Sequence, residues 1–288
     1  MRLGAIDIGS NAVRLLVADV TKKEGLVHSE KITLTRIPIR LGQDVFSVGH
    51  VVDAKIERLV LVMKSFAHLM NALDVVHVKI CATSAMREAT NCKDIVERVR
   101  KETGLLIEVI DGKEEAKLIF RTFEVSLLDP RQNYLYIDVG GGSTELTWIQ
   151  DAERQHSKSF KVGAVRALNG KVKDRVWEKI EDFVKQAPAG QVTAIGTGGN
   201  INCMARLAGV KRRTAITFEK LESVHVNIAS HSYSERLSLL GMKPDRADVV
   251  VSAGETYLRI MKMAGVKQII VPKVGLADGM VLELSASL

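Results

Sequence analysis

Two aspartates 131 positions apart, Asp7 and Asp138, each close a short apolar run and open a turn of small residues. The first stretch runs Arg2 to Ile6, then Asp7-Ile8-Gly9-Ser10-Asn11, then an apolar segment from Ala12 to Val20. The second runs Tyr134 to Ile137, then Asp138-Val139-Gly140-Gly141-Gly142-Ser143-Thr144, then Leu146 to Ile149. Strand, aspartate, small-residue turn and returning strand is a hairpin pattern. One such turn constrains little, because a glycine-rich turn after a strand is as often structural as functional. Two of them, separated by nearly half the chain, predict a duplicated fold.

The intervening periodicities fit that expectation. Ile56, Leu59, Val60, Met63, Phe66, Ala67 and Met70 recur at helical spacing within 51–73. Strands are expected at 26–34, 75–81 and 105–110, and helices from the Thr83-Ser84 turn through Arg100 and over 114–125. Asp129-Pro130-Arg131-Gln132-Asn133 is a polar, proline-marked connector. The second half places strands at 191–195 and 267–271. Its helices are expected at 172–184, 200–208, 218–228, 246–263 and 276–284. Strands alternating with helices give an α/β class. The 288 residues divide into an N-terminal domain at 1–124 and a C-terminal domain at 125–288, with the last helix packing back on the first domain.

Composition excludes several classes. Asp7 interrupts the apolar run that a signal peptide needs. No stretch approaches 18 uncharged apolar residues, so no membrane partner is expected and the chain is read as cytoplasmic. Cys81, Cys92 and Cys203 lack the density of a disulfide framework or zinc site, and the seven histidines show no metal spacing. The net charge of +7 favours an anionic partner without choosing among polyphosphate, nucleic acid and an acidic membrane. A nucleic-acid module is not indicated, since no interleaved aromatics accompany the charge.

The turns carry the chemistry. Gly9, Ser10 and Asn11, and more openly Gly140, Gly141, Gly142 and Ser143, let backbone amides approach an anion where a side chain would block it. Gly196-Thr197-Gly198-Gly199-Asn200 precedes a helix, so its amides suit a phosphate, or its glycines simply allow tight strand–helix packing. Lys211-Arg212-Arg213 extends an anionic track or is a solvated loop, and Lys161 and Arg166 are equally open.

The paired turns resemble the phosphate loops of the actin-like superfamily. Five segments in order, AIDIGSN at 5–11, ATSAMREATN at 82–91, DGKEEAKLIF at 111–120, YIDVGGGSTEL at 136–146 and AIGTGGNIN at 194–202, narrow this. The chain resembles the exopolyphosphatase/guanosine pentaphosphate phosphohydrolase (Ppx/GppA) family over most of its length. That resemblance implies two actin-like (ribonuclease H-like) domains with a phosphate-binding cleft between them. It implies that Glu115 is the catalytic carboxylate acting on water; only the family register selects it over Glu114. It further implies Arg87 as a phosphate ligand, along with Gly9, Ser10, Asn11, Gly140, Gly141, Gly142, Ser143, Gly198 and Gly199. Asp7, Asp138 and Glu145 become the candidate Mg²⁺ ligands, with an exposed strand-edge residue as the alternative reading of Glu145.

The implied reaction is release of terminal orthophosphate from polyphosphate or guanosine pentaphosphate, with domain closure about a hinge near 124–130. A homodimer is the expected assembly. The rival functions are a regulator that binds guanosine tetra- or pentaphosphate without turnover, and a small-molecule kinase on the same fold. The chain departs from the family pattern at DGK before Glu114, and at Ala277-Asp278 where many relatives carry Arg-Glu.

Overall fold

The computed structural model describes residues 1–23, 26–124, 128–188, 190–211 and 214–287. In chain order the elements begin with strands β1 (Arg2–Ile8), β2 (Ala12–Lys23) and β3 (Leu26–Pro38), then helices α1 (Leu41–Val48) and α2 (Asp53–Ala72). There follow β4 (His77–Ala82), α3 (Ser84–Glu88), α4 (Cys92–Thr103), β5 (Glu108–Val109) and α5 (Gly112–Glu124). The pattern then restarts with β6 (Asn133–Val139), β7 (Thr144–Gln150), β8 (Glu153–Phe160), α6 (Ala164–Leu168), α7 (Arg175–Val184) and β9 (Val192–Thr197). Next come α8 (Gly199–Leu207), β10 (Ala215–Thr217), α9 (Phe218–Ser230), α10 (Tyr233–Ser238) and α11 (Pro244–Ala247). The chain closes with α12 (Val250–Met263), β11 (Gln268–Ile270) and α13 (Leu276–Ala286).

Two compact units result, one of Met1–Val125 with Gly275–Leu288, the other of Ser126–Val274. The hinge expected near 124–130 has residues 125–127 outside the described ones. In the first unit the sheet order is β3-β2-β1-β4-β5, and in the second β10-β11-β9-β6-β7-β8. Counted within each unit, both share a common five-strand arrangement, three antiparallel strands in meander and then two parallel strands on the far side of the first, to which the second unit adds β10 antiparallel to β11. This is the actin-like topology. The central strands β1 and β6 are covered on both faces, which is why they read as near-continuous apolar runs.

Helix α13 returns to the first unit and packs on α5 and on β1, β2 and β4. Leu276, Ala277, Met280 and Val281 are buried there. A Cβ built on Gly279 would fall on the carbonyl of Leu118 in α5, so the two helices cross at backbone contact. Asp278, in the first turn, caps the helix: its carboxylate accepts the Gly275 N–H at 3.0 Å and pairs with Lys31 at 2.6 Å.

Several boundaries differ from expectation. The helix anticipated from the Thr83-Ser84 turn to Arg100 is two helices, α3 and α4, with extended backbone at Ala89. The cause lies in Asn91, whose side chain donates to Val51 O at 2.8 Å and accepts from Val51 N at 3.1 Å. The strand at 105–110 shortens to β5, and the helix at 246–263 divides into α11 and α12. Strand β8 was not foreseen: Glu-Arg-Gln-His-Ser-Lys-Ser carries no apolar alternation because this edge strand is largely exposed. Among the described residues no helix is long and apolar enough to cross a membrane.

Candidate active site

In the first unit, Asp7 sits at the end of β1 between Arg14 on β2 and Cys81 on β4. Its Oδ2 accepts from Arg14 Nη1 at 2.5 Å, and Asp7 is almost fully buried. The turn closes with Gly9 N donating to Ala12 O at 3.1 Å. Its carbonyls are held from behind by the start of α1, where Gly42 N donates to Ser10 O at 2.8 Å and Arg40 N to Asn11 O at 3.0 Å. The Ser10 hydroxyl shares a buried hydrogen bond of 2.9 Å with Ser84, a residue the sequence pattern had not singled out.

Glu115 lies in the first turn of α5. Asp111 caps that helix, its Oδ1 accepting from Lys113 N and Glu114 N at 2.8 Å each. These backbone bonds, the Glu114 amide foremost, hold the Asp111 carboxyl below the usual range. The cap fixes which way each glutamate points. Glu114 turns outward to Lys117 at 3.1 Å, whereas the Glu115 side chain is only 12% exposed and its Oε2 lies 3.9 Å from Arg87 Nη1. The same Arg87 nitrogen donates to Ile110 O at 2.6 Å, which seats the guanidinium beside Glu115. Local geometry thus separates two carboxylates that spacing alone had left equivalent.

In the second unit, Asp138 ends β6 with Glu145 directly opposite on β7 and Thr197 beside it on β9. Glu145 is 2% exposed, and its Oε1 accepts from Ser143 Oγ at 2.7 Å and Ser159 Oγ at 2.8 Å. It is therefore not an exposed edge residue, and the Ser143 hydroxyl proton is directed at Glu145. Tyr136 donates to Asp138 Oδ2 at 3.1 Å and shares a 2.7 Å bond with Thr197 Oγ1. Tyr257, from α12, accepts from Val139 N at 3.1 Å and donates to Thr197 O at 2.5 Å. Burial, reinforced by the Asp138 charge, pushes both phenols well above their ordinary range and keeps them donors.

The turn between these strands closes with Gly140 N donating to Ser143 O at 2.9 Å. Among the described residues, none accepts from the Gly141 or Gly142 amides. The later glycines divide the two roles left open by the sequence. Gly196 serves packing, since a Cβ there would meet Ile269 at 2.7 Å. Gly198, at φ 100°, lies where a Cβ would come 2.9 Å from Asp138 Oδ1. Gly199 begins α8 with the Arg246 guanidinium packed against it, and Arg246 donates to Asn200 Oδ1 at 2.5 Å. Sequence reasoning placed Arg246 only at a helix start. A cation at the positive end of a helix suits an anion held between them.

Arg166 is buried against the back of the glycine turn and is not an open substrate contact. Arg212 and Arg213 of the basic run lie outside the described residues. Among the described residues, no group of three or more His, Cys, Asp or Glu side chains is placed to hold a metal. The Asp138–Glu145 pair, two hard oxygen donors directly opposite each other, fits an Mg²⁺ that takes its remaining ligands from phosphate and water. Asp7, neutralised by Arg14, fits that role less well.

The sequence profile of the Ppx/GppA phosphatase family matches residues 17–288. Exopolyphosphatase 1 of Mycobacterium leprae is 28% identical over 305 residues, covering 98% of this chain and 89% of that protein. The solved Aquifex aeolicus PPX-GPPA enzyme is 26% identical with a TM-score of 0.78, covering 98% of this chain and 99% of that one. A solved exopolyphosphatase from Cytophaga hutchinsonii superposes with a TM-score of 0.84 over 100% of this chain and 99% of its own. At 22% identity it speaks for the fold alone.

Proposed function

Because this chain belongs to the Ppx/GppA phosphatase family, we propose that it releases terminal orthophosphate from inorganic polyphosphate, with guanosine pentaphosphate as a second substrate for the same chemistry. Relatives named as exopolyphosphatases support the polyphosphate assignment. The observation that carries the reading is the orientation of Glu115, turned inward beside Arg87 while its neighbour Glu114 is occupied by Lys117.

Phosphoryl transfer depends on positioning and charge neutralisation more than on covalent assistance. In this reading Glu115 orients the attacking water and takes its proton as the new P–O bond forms and the bridging P–O bond breaks. Arg87 neutralises phosphate oxygens, its planar fork suited to two at once. The amides of the Gly140–Ser143 turn and of the Gly9–Asn11 turn bind further oxygens. Arg246 with the start of α8 is proposed as an additional anion contact. A bound Mg²⁺, held by Asp138 and Glu145, would withdraw charge from the phosphate oxygens.

The deciding experiment is Mg²⁺-dependent phosphate release from long polyphosphate, tripolyphosphate and guanosine pentaphosphate, with Glu115→Gln beside wild type. Release that disappears in folded Glu115→Gln is expected. No release from any substrate, with tight guanosine nucleotide binding intact, would replace this reading by a non-hydrolytic regulator.

A further inference from the structure

The glycine turn of the second unit has a back as well as a front. In a planar trans peptide, the carbonyl of one residue and the N–H of the next point in opposite directions. Three consecutive carbonyls of the turn are engaged from behind. Gly140 O accepts from Ala164 N at 2.9 Å, and Gly141 O from Val165 N at 2.9 Å and Arg166 N at 3.1 Å. Gly142 O accepts from Arg166 Nε at 2.8 Å. The amides of Gly141, Gly142 and Ser143 are thereby turned to the opposite face.

These three locks differ in kind. The first two come from the main chain of α6, which residues of many types would supply. Gly163 lets that main chain sit close, for a Cβ on it would meet Gly141 and Gly142 backbone at 2.6 Å. The third comes from one side chain, and among the described residues no other donor reaches Gly142 O. Arg166 is 8% exposed, so its guanidinium works from the interior.

We propose that Arg166 is a positioning residue for phosphate recognition: it holds the Gly142–Ser143 peptide so that the Ser143 N–H faces the bound phosphate. Glycine at 142 leaves the reversed peptide sterically accessible, so the constraint has to come from outside the turn. Reversal would replace a donor by a carbonyl oxygen whose partial negative charge repels the anion. The inference rests on reading this turn as a phosphate site.

Arg166→Met keeps the buried stem and removes the donor, whereas Arg166→Lys returns an ammonium of similar reach. Binding of inorganic phosphate and of tripolyphosphate would be measured by calorimetry, with KM and kcat on polyphosphate and the melting temperature of each protein. Arg166→Met should weaken both ligands and raise KM by about tenfold, as for one lost hydrogen bond to a charged group, with a smaller change in kcat. Arg166→Lys should recover most of that affinity. Equal losses of melting temperature in both variants with unchanged phosphate affinity would overturn the proposal, as would absence of phosphate binding by wild type. If Arg166→Met does not fold, Arg166→Gln serves in its place, its short amide falling short of Gly142 O. If wild type binds phosphate but hydrolyses nothing, the functional reading fails while the affinity series still decides the role of Arg166.

Discussion

Asp138 and Glu145 stand directly opposite each other across the β6–β7 pair, two carboxylates at positions whose counterparts in the first hairpin are Asp7 and Arg14. The two hairpins share register and turn closure, yet one carries an ion pair and the other a pair of like charges. Opposed like charges in a sheet cost roughly 0.2–1 kcal/mol, which a bound cation would reverse. Glu145→Gln should therefore leave the metal-free protein as stable as wild type or slightly more so. Titrated with Mg²⁺, wild type should gain melting temperature by mass action and the variant should not. Parallel gains in the two proteins would remove Glu145 from the metal site.

The two glutamates that begin α5 should behave differently. Glu115→Gln is expected to lower kcat by about 10²-fold or more, the usual contribution of a general base. Glu114→Gln breaks only an exposed pair with Lys117, and activity should stay within roughly twofold. Steady-state phosphate release on both variants checks this, and equal losses would show that the cap at Asp111 does not distinguish them.

Gly198→Ala tests the close approach of the Gly198 backbone to Asp138. At φ 100° and ψ 162° the backbone is in a region essentially reserved for glycine, with strain of about 1–3 kcal/mol for alanine. The added methyl would also press on Asp138 Oδ1. Both a lower melting temperature and a higher Mg²⁺ requirement for activity are expected. Destabilisation without any change in Mg²⁺ dependence would make Gly198 a purely conformational glycine.

Gly279→Ala drives a methyl into the Leu118 carbonyl at the α13–α5 crossing. Overpacking of this kind costs about 1–3 kcal/mol, more where backbone must shift. Denaturant unfolding should show the loss, and a neutral outcome would mean that the crossing relaxes freely.

Burial pushes the Cys81 thiol up to about 12. Its folded-state value thus lies above its unfolded one, so the contribution to stability is complete below about pH 8.5 and is lost as pH climbs toward 12. The stability difference between wild type and Cys81→Ala should shrink across that window. A constant difference by denaturant unfolding at pH 8 and pH 10.5 would contradict the shift.

The duplicated hairpins were legible because β1 and β6 are buried on both faces and read as apolar runs, and the long helix α2 because its buried face recurs at helical spacing. Elements held by other means were not. Strand β8 is polar and exposed, and the break after α3 depends on the contact of Asn91 with Val51, distant in sequence. At the site, the turns announce themselves through glycine, but what orients them does not. Ser84, Tyr257, Arg166 and Arg246 each reach their partners across many positions, so no local pattern marked their roles. The choice between Glu114 and Glu115 needed the helix cap, since adjacent residues read alike until the first turn is fixed.

The return of α13 to the first unit has a consequence for how the chain assembles as it is made. The second unit is a continuous stretch, Ser126–Val274, and holds all its partners as soon as that stretch is available. The first unit does not: the helix that covers β1 and α5 emerges from the ribosome only after the whole of the second unit. Until then the apolar face that α13 covers stays open. The unit whose synthesis starts earlier is therefore completed after the other, and β1 waits for a helix that lies beyond the entire second unit.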